Sequence, residues 1–180
     1  MQEQFYEDMR GITAQALAAV RPEAAVRKAL AAHFFAPGRI RLVAVGKAAW
    51  QMAEAAVGVL GRRIEKGIVI TKYGHSAGPL PGLLCREAAH PVPDQAGFAA
   101  TREALELVSG LGAEDTVLFL LSGGASALFE QPLVEPEELQ SVTGALLACG
   151  CDIAQINTIR KRLSGVKGGR FALRCAPAQV

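Results

Sequence analysis

The sequence predicts an α/β protein, a three-layer α/β/α domain built on a mainly parallel sheet. Three observations carry that expectation. Short unbroken apolar runs recur at 42–45, 68–70 and 117–121. They are long enough for strands and too short for independent helices. Because they do not alternate with polar residues, they read as strands covered on both faces, as in a parallel sheet. Between them lie segments whose apolar residues repeat at helical spacing, and strands alternating with helices give right-handed crossovers and layered folds. The third observation is composition: 51% apolar residues with only 6% aromatics suit alanine-rich helices packed closely on a sheet. At 180 residues the chain has the size of one domain with one good core.

Taken in order, Phe5, Met9, Ile12, Ala16 and Ala19 predict an amphipathic helix over 3–20. Pro22 suits the first position of a second helix, with Val26, Leu30 and Phe34 inward, ended by Pro37-Gly38. A strand over 41–46 closes on Gly46-Lys47, and the helix after it carries Ala49, Met52, Ala53, Ala56 and Leu60 on one face. A second strand over 67–71 leads into Lys72-Tyr73-Gly74-His75 and a loop rich in glycine and proline. A weaker strand candidate over 84–89 ends at His90-Pro91-Val92-Pro93-Asp94, where each residue before proline is pushed toward extended geometry. Asp94 then caps a helix carrying Ala100, Ala104, Leu107 and Leu111.

The run 117–121 is expected as the central strand, and it stops abruptly at Ser122-Gly123-Gly124-Ala125-Ser126. Pro136 opens a helix through Leu139, Val142 and Leu146 that stops at Gly150. Asp152 caps one more, with Ile156, Ile159 and Leu163 inward and Asn157, Arg160, Lys161 and Ser164 on the other face. It runs into Val166-Lys167-Gly168-Gly169-Arg170, and a last strand is expected to start after Pro177.

In such sheets ligands sit beyond the carboxyl ends of the strands. Here those ends carry Gly46-Lys47, Lys72 to His75, His90-Pro91 and Ser122 to Ser126, so four glycine or basic clusters meet on one edge. Two glycines let backbone N–H groups turn outward toward an anion, and a short helix starting at Ser126 would add partial positive charge. A tight strand-to-helix connection without a ligand reads equally well from the glycines alone. Lys47 can neutralise phosphate or carboxylate as a compact charge. Arg160, Lys161 and Lys167 form a basic stripe; the plainer alternative is a solvated helix face. His75 and His90 are candidate donors or acid–base groups, Asp94 a helix cap and Tyr73 a cleft wall. Together these give an anion-binding cleft suited to phosphoryl transfer or carboxylate binding. The sequence contains neither GxGxxG nor a Walker motif, nor a nucleophile elbow or metal cluster.

A formal charge of +2 is too small to argue for nucleic acid or membrane surfaces, and neither is expected as a partner. Cys85, Cys149, Cys151 and Cys175 lack zinc spacing. Cys149-Gly-Cys151 is a conceivable metal pair, but all four are expected as core thiols in a reducing compartment. The acidic start has no signal-peptide plan, and no apolar run approaches the roughly 20 residues of a membrane span. The expectation is a soluble cytoplasmic protein.

Five ordered segments resemble one family: Val45-Gly46-Lys47-Ala48-Ala49, Val69 to His75, His90 to Asp94, Leu121 to Leu128, and INTIRKRLSGVKGGR from Ile156 to Arg170. They are similar to the type-2 glycerate kinases, the MOFRL-associated glycerate 2-kinases whose relatives are often labelled hydroxypyruvate reductase. The resemblance runs from about Val43 to Phe171. It implies a Rossmann-like N-terminal domain facing a smaller C-terminal domain across a cleft, with ATP- and Mg²⁺-dependent phosphorylation of D-glycerate to 2-phosphoglycerate. By this resemblance Lys47 is the active-site lysine, and Ser122, Gly123, Gly124, Ala125 and Ser126 form the loop that cradles nucleotide phosphates. His90, Asn157, Arg160 and Lys161 would line the substrate cleft; the positions of metal ligands are unknown.

Two departures stand out. The family usually has a third glycine where this chain has Ala125, and a methyl there is tolerated only at negative φ. A family member would also continue for roughly as long again, so the chain is expected to be an N-terminal part with little or no activity alone. Its unpaired sheet edge near Val180 would favour self-association into a homo-oligomer. Two other readings stay open: a non-catalytic phosphosugar- or anion-binding module, and the reductase of the family's other label, against which the missing GxGxxG counts.

Overall fold

A computed structural model describes residues 2–180. Its centre is a four-stranded parallel sheet made of β1 (Ile40–Val45), β2 (Ile64–Lys72), β3 (Leu83–Ala88) and β4 (Thr116–Leu121). Their order is β3-β2-β1-β4. β1 lies inside, with Val45 beside Ile70 of β2 on one flank and Leu121 of β4 on the other. All six of its residues are buried. Alternation along β1 assigns its two faces. Ile40, Leu42 and Ala44 pack toward α2 (Pro22–Ala32) and α3 (Ala49–Leu60), and Val43 and Val45 toward α4 (Gln95–Leu107). Helices on both faces make the expected three-layer α/β/α architecture.

The expected elements recur with shifted ends, and several details differ. The first helix, α1 (Gln2–Ala19), forms but buries none of its apolar residues against the described residues. In the second, Val26 and Leu30 are buried, but the helix ends at Ala32 and the chain turns extended. Side chains then alternate, so Phe35 is 6% exposed and Phe34, expected inward, is 89% exposed. Asp94 caps α4 as expected, accepting from the Gly97 N–H at 2.9 Å. α6 (Pro136–Ala148) and α7 (Ile153–Arg162) follow, the latter opened by a capping box of Asp152 and Gln155. A short helix not foreseen in the sequence, α8 (Arg170–Cys175), sets Phe171 against Phe119 and Phe129, with centroids 4.6 and 5.0 Å away. Cys149 and Cys151, expected in the core, are exposed in the turn between α6 and α7; Cys175 is buried, and the described cysteines form no disulfide.

The largest correction concerns β4. Expected as the central strand, it lies at the sheet's margin, and Leu121 at its carboxyl end is 54% exposed. Among the described residues only Gln179 pairs with its other side: the Val117 N–H donates to the Gln179 carbonyl at 2.7 Å, beside a parallel bridge between Thr116 and Gln179. In place of the strand expected after Pro177 there is an isolated bridge at Gln179. No described helix is long and apolar enough to cross a membrane.

Candidate functional site

The carboxyl ends of β1 and β4 are locked together before any ligand is considered. Ser122 donates its N–H to the Val45 carbonyl at 2.9 Å. Its Oγ accepts the Ala48 N–H at 3.0 Å, and the Lys47 N–H donates to the Gly123 carbonyl at 2.8 Å. Gly46 makes the approach possible. Its φ is +125°, and a Cβ there would stand 2.1 Å from Ser122 Oγ. Ser122 therefore spends its hydroxyl on holding Lys47 at the loop.

From this clamp the loop turns outward. Gly124 has φ +90°, and a Cβ on it would meet His90 Cδ2 at 3.0 Å and Lys47 Cγ at 3.3 Å. Three strand ends thus deliver a lysine stem, an imidazole and a bare backbone to one spot: Lys47 after β1, His90 after β3, Gly124 after β4. The N–H groups of Gly123, Gly124 and Ser126 have no acceptor among the described residues. The expected helix is a single turn, α5 (Ala125–Leu128), so the donors of the loop itself are what it offers an anion. Ala125 opens that turn, and no described non-glycine residue has positive φ, so its methyl fits.

The surroundings are positive. The Arg160 guanidinium on α7 donates to the Ser126 carbonyl at 2.7 Å. Burial lowers its pKa from the usual arginine value, against the pull of Glu130. His90 is held below the usual histidine range, first by burial and then by the positive charges of Lys47, Lys72 and Arg160. Below the loop lies a cavity of about 450 Å³ lined by Phe119, Ser122, Gly124, Ser126, Phe129 and Lys167. A larger one, about 640 Å³, lies between α2 and β4, apolar and away from these groups.

Not every expected residue converges. Asn157 is half-buried on α7, and Lys161 is exposed with its stem over Gly168. Consecutive side chains on a helix diverge, so Arg160 reaches the loop and Lys161 does not. His75 places Nδ1 3.1 Å from the Lys47 carbonyl, a contact that steadies the lysine's backbone. Tyr73 donates to Asp94 at 2.7 Å, so both serve the cap of α4. Sequence reasoning missed Glu130. It is 1% exposed and paired with Lys167, 37 residues away, and no local pattern marks it. Among the described residues no three His, Cys, Asp or Glu side chains cluster as a metal requires.

Residues 8–180 match the family described as Domain of unknown function (DUF4147). The chain belongs to this family. The DUF4147 chain is 55% identical to a D-glycerate 2-kinase of Thermotoga maritima over 171 residues, covering 94% of this chain and 40% of that protein. It is 40% identical over 146 residues to a protein of Agrobacterium vitis named for hydroxypyruvate reductase, covering 79% of this chain and 33% of that one. A crystal structure of the Thermotoga maritima glycerate kinase superposes with a TM-score of 0.90 at 52% identity, covering 98% of this chain and 42% of that one. The Rossmann-like architecture and the likeness to glycerate kinases expected from the five segments are borne out. The chain spans about 40% of the length of the first of these relatives.

Proposed function

We propose that this DUF4147 chain forms the phosphate-binding N-terminal domain of an ATP-dependent glycerate kinase that converts D-glycerate to 2-phosphoglycerate. The observation that carries the reading is the meeting of Lys47, His90 and the Gly124 backbone at three parallel strand ends. In this reaction the 2-hydroxyl oxygen of glycerate forms a bond to the γ-phosphorus of ATP. The bond from that phosphorus to the ADP oxygen breaks, and the hydroxyl proton is released. Free N–H groups of Gly123, Gly124 and Ser126 donate to phosphate oxygens, with Ser122 and Ala125 fixing the loop's course. Lys47 stabilises charge on the transferring group, where preorganised donors lower the barrier. His90, whose neutral ring is favoured by burial and the neighbouring cations, hydrogen-bonds the substrate, and Arg160, with Asn157 one turn earlier on α7, faces the carboxylate.

Mg²⁺ accompanies ATP in this chemistry, but the residues here do not make its site. Asp94 is committed to the α4 cap and Tyr73, and Glu130 to Lys167. In this reading a second domain supplies the other wall of the cleft, and the thiols without disulfides fit the cytoplasm.

The test is incubation of the gene's full product with ATP and D-glycerate, followed by ³¹P NMR. The expected result is 2-phosphoglycerate and ADP. The name of the Agrobacterium vitis relative favours a second reading, reduction of hydroxypyruvate. NADH consumption with hydroxypyruvate, and no phosphate transfer, would replace the kinase by the reductase.

A further inference from the structure

Lys167 does not belong to the set of residues assigned above, yet it lines the cavity under the glycine loop. Its side chain is 12% exposed. One N–H of the ammonium donates to the Phe129 carbonyl at 3.1 Å and another to Glu130 Oε2. An ammonium has three donors, so one remains beyond these two. The main chain around it is equally fixed: the Val166 and Lys167 N–H groups both donate to Ser164 Oγ at 3.3 Å.

Glu130 is placed with similar care. Its N–H donates to Thr101 Oγ1 at 2.9 Å, and that hydroxyl donates to the Gly97 carbonyl at 2.8 Å. One carboxylate oxygen holds Lys167; the other, Oε1, is buried without a partner. A buried ion pair is weak evidence for stability, because hydrophobic residues of similar volume often serve as well or better. Lys167 of this pair lines the same cavity as Ser122, Gly124 and Ser126 of the glycine loop.

We propose that Lys167 is a second cationic ligand for the phosphate chain held by the Ser122–Ser126 loop, and that Glu130 is the positioning residue that aims it. The proposal rests on the reading of that loop as a phosphate site. Two lysines then flank the loop, Lys47 from β1 and Lys167 from the segment before α8, and together they neutralise more charge than either can. Arg160 steadies the loop between them by donating to the Ser126 carbonyl. The ligand so recognised is a polyphosphate; the carboxylate of glycerate is the competing source of negative charge.

The experiment is calorimetric titration of inorganic tripolyphosphate, and separately of D-glycerate, into the full protein and its variants. Lys167→Met alone strands a buried carboxylate, so the informative variant is the double replacement Glu130→Gln/Lys167→Met. Its Kd for tripolyphosphate should rise about tenfold, the range of one charged hydrogen bond, with glycerate affinity unchanged. Glu130→Gln alone should raise it about threefold, and Lys167→Arg should restore most of the affinity. A folded double variant that binds tripolyphosphate like the unmodified protein overturns the proposal, as does a loss confined to glycerate. Should the double variant fail to fold, ¹⁵N-lysine NMR of the unmodified protein decides: the Lys167 Nζ signal, assigned with Lys167→Arg, must shift on adding tripolyphosphate, and its constancy overturns the proposal. No tripolyphosphate binding by the unmodified protein would instead sink the phosphate-loop reading itself.

Discussion

The two ends of β4 are built to opposite specifications. At the amino end the carboxylate and carbonyl of Asp115 are fully used. Asp115 accepts from the Arg39 N–H at 2.8 Å, the Arg39 guanidinium at 2.6 Å and the Gly112 N–H at 2.7 Å, while its carbonyl takes the Gln179 N–H at 3.0 Å. At the carboxyl end three loop N–H groups have no acceptor among the described residues, cations gather, and the backbone of Gly124 is bare. The first arrangement is what stability wants. The second leaves donors and positive charge in place for a ligand to complete, which is how preorganised sites work. One strand of six residues separates the two.

Substitutions at each end should therefore be read by different instruments. Lys47→Met should lower glycerate-dependent ATP turnover about 10²- to 10³-fold, a loss comparable to removing one preorganised charge-stabilising donor. Its Tm should stay put, because the Lys47 side chain is exposed; a large fall in Tm would blur the contrast. Gly124→Ala should lose both properties. The left-handed φ alone costs a residue with Cβ about 1–2 kcal/mol, and the new methyl would push on His90 and Lys47. Unchanged melting and turnover in that variant would mean the loop has slack that the geometry does not show.

Asp115→Asn should lower Tm by several degrees and leave turnover per folded molecule intact. The effect has a pH signature. The Arg39 side chain, then the N–H groups of Gly112 and Arg39, hold the Asp115 carboxyl well below the usual range. A depressed carboxyl contributes its stabilisation fully above the unfolded value, about 3.9, and loses it as pH falls from there toward the folded value. The stability gap between the unmodified protein and Asp115→Asn should thus be flat from pH 8 to 5 and close below about pH 4. Urea titrations at each pH check this.

His90 gives the smallest effect and the finest distinction. Burial and the neighbouring cations lower its pKa, so the folded state favours the neutral ring. Below the ordinary value of about 6.5 the unfolded chain binds a proton that the fold resists, and stability declines with acid. A bound polyanion reverses the local field. The ring's NMR titration midpoint should lie below 6.5 in the free protein and rise with tripolyphosphate; a midpoint indifferent to the anion would remove His90 from the site.

Much of this was legible in the sequence. Unbroken apolar runs mark the parallel strands, and glycine or basic residues at their carboxyl ends mark the edge that carries the candidate site. The rank of the strands was not legible: residues 117–121 look central because periodicity reports burial on two faces and says nothing about neighbours in the sheet. Lys47 and the glycine loop were visible as local signals, whereas Ser122's use as a clamp depends on Val45 and Ala48, more than 70 residues away. Helical spacing puts Arg160 and Lys161 on one face with Asn157, but only Arg160 reaches the loop, while the Lys161 stem lies over Gly168. Glu130 was invisible for the same reason as the clamp: a buried carboxylate is explained only by the lysine that folding brings to it.

The most direct test is ¹H–¹⁵N chemical-shift mapping of the unmodified protein as tripolyphosphate is added. Amides of Lys47, Gly123, Gly124 and Ser126 should move in a saturable way, while Gly112, Asp115 and Gln179 stay fixed. Shifts confined to the amino end of β4, or none at saturating anion, would contradict the assignment of phosphate binding to its carboxyl end.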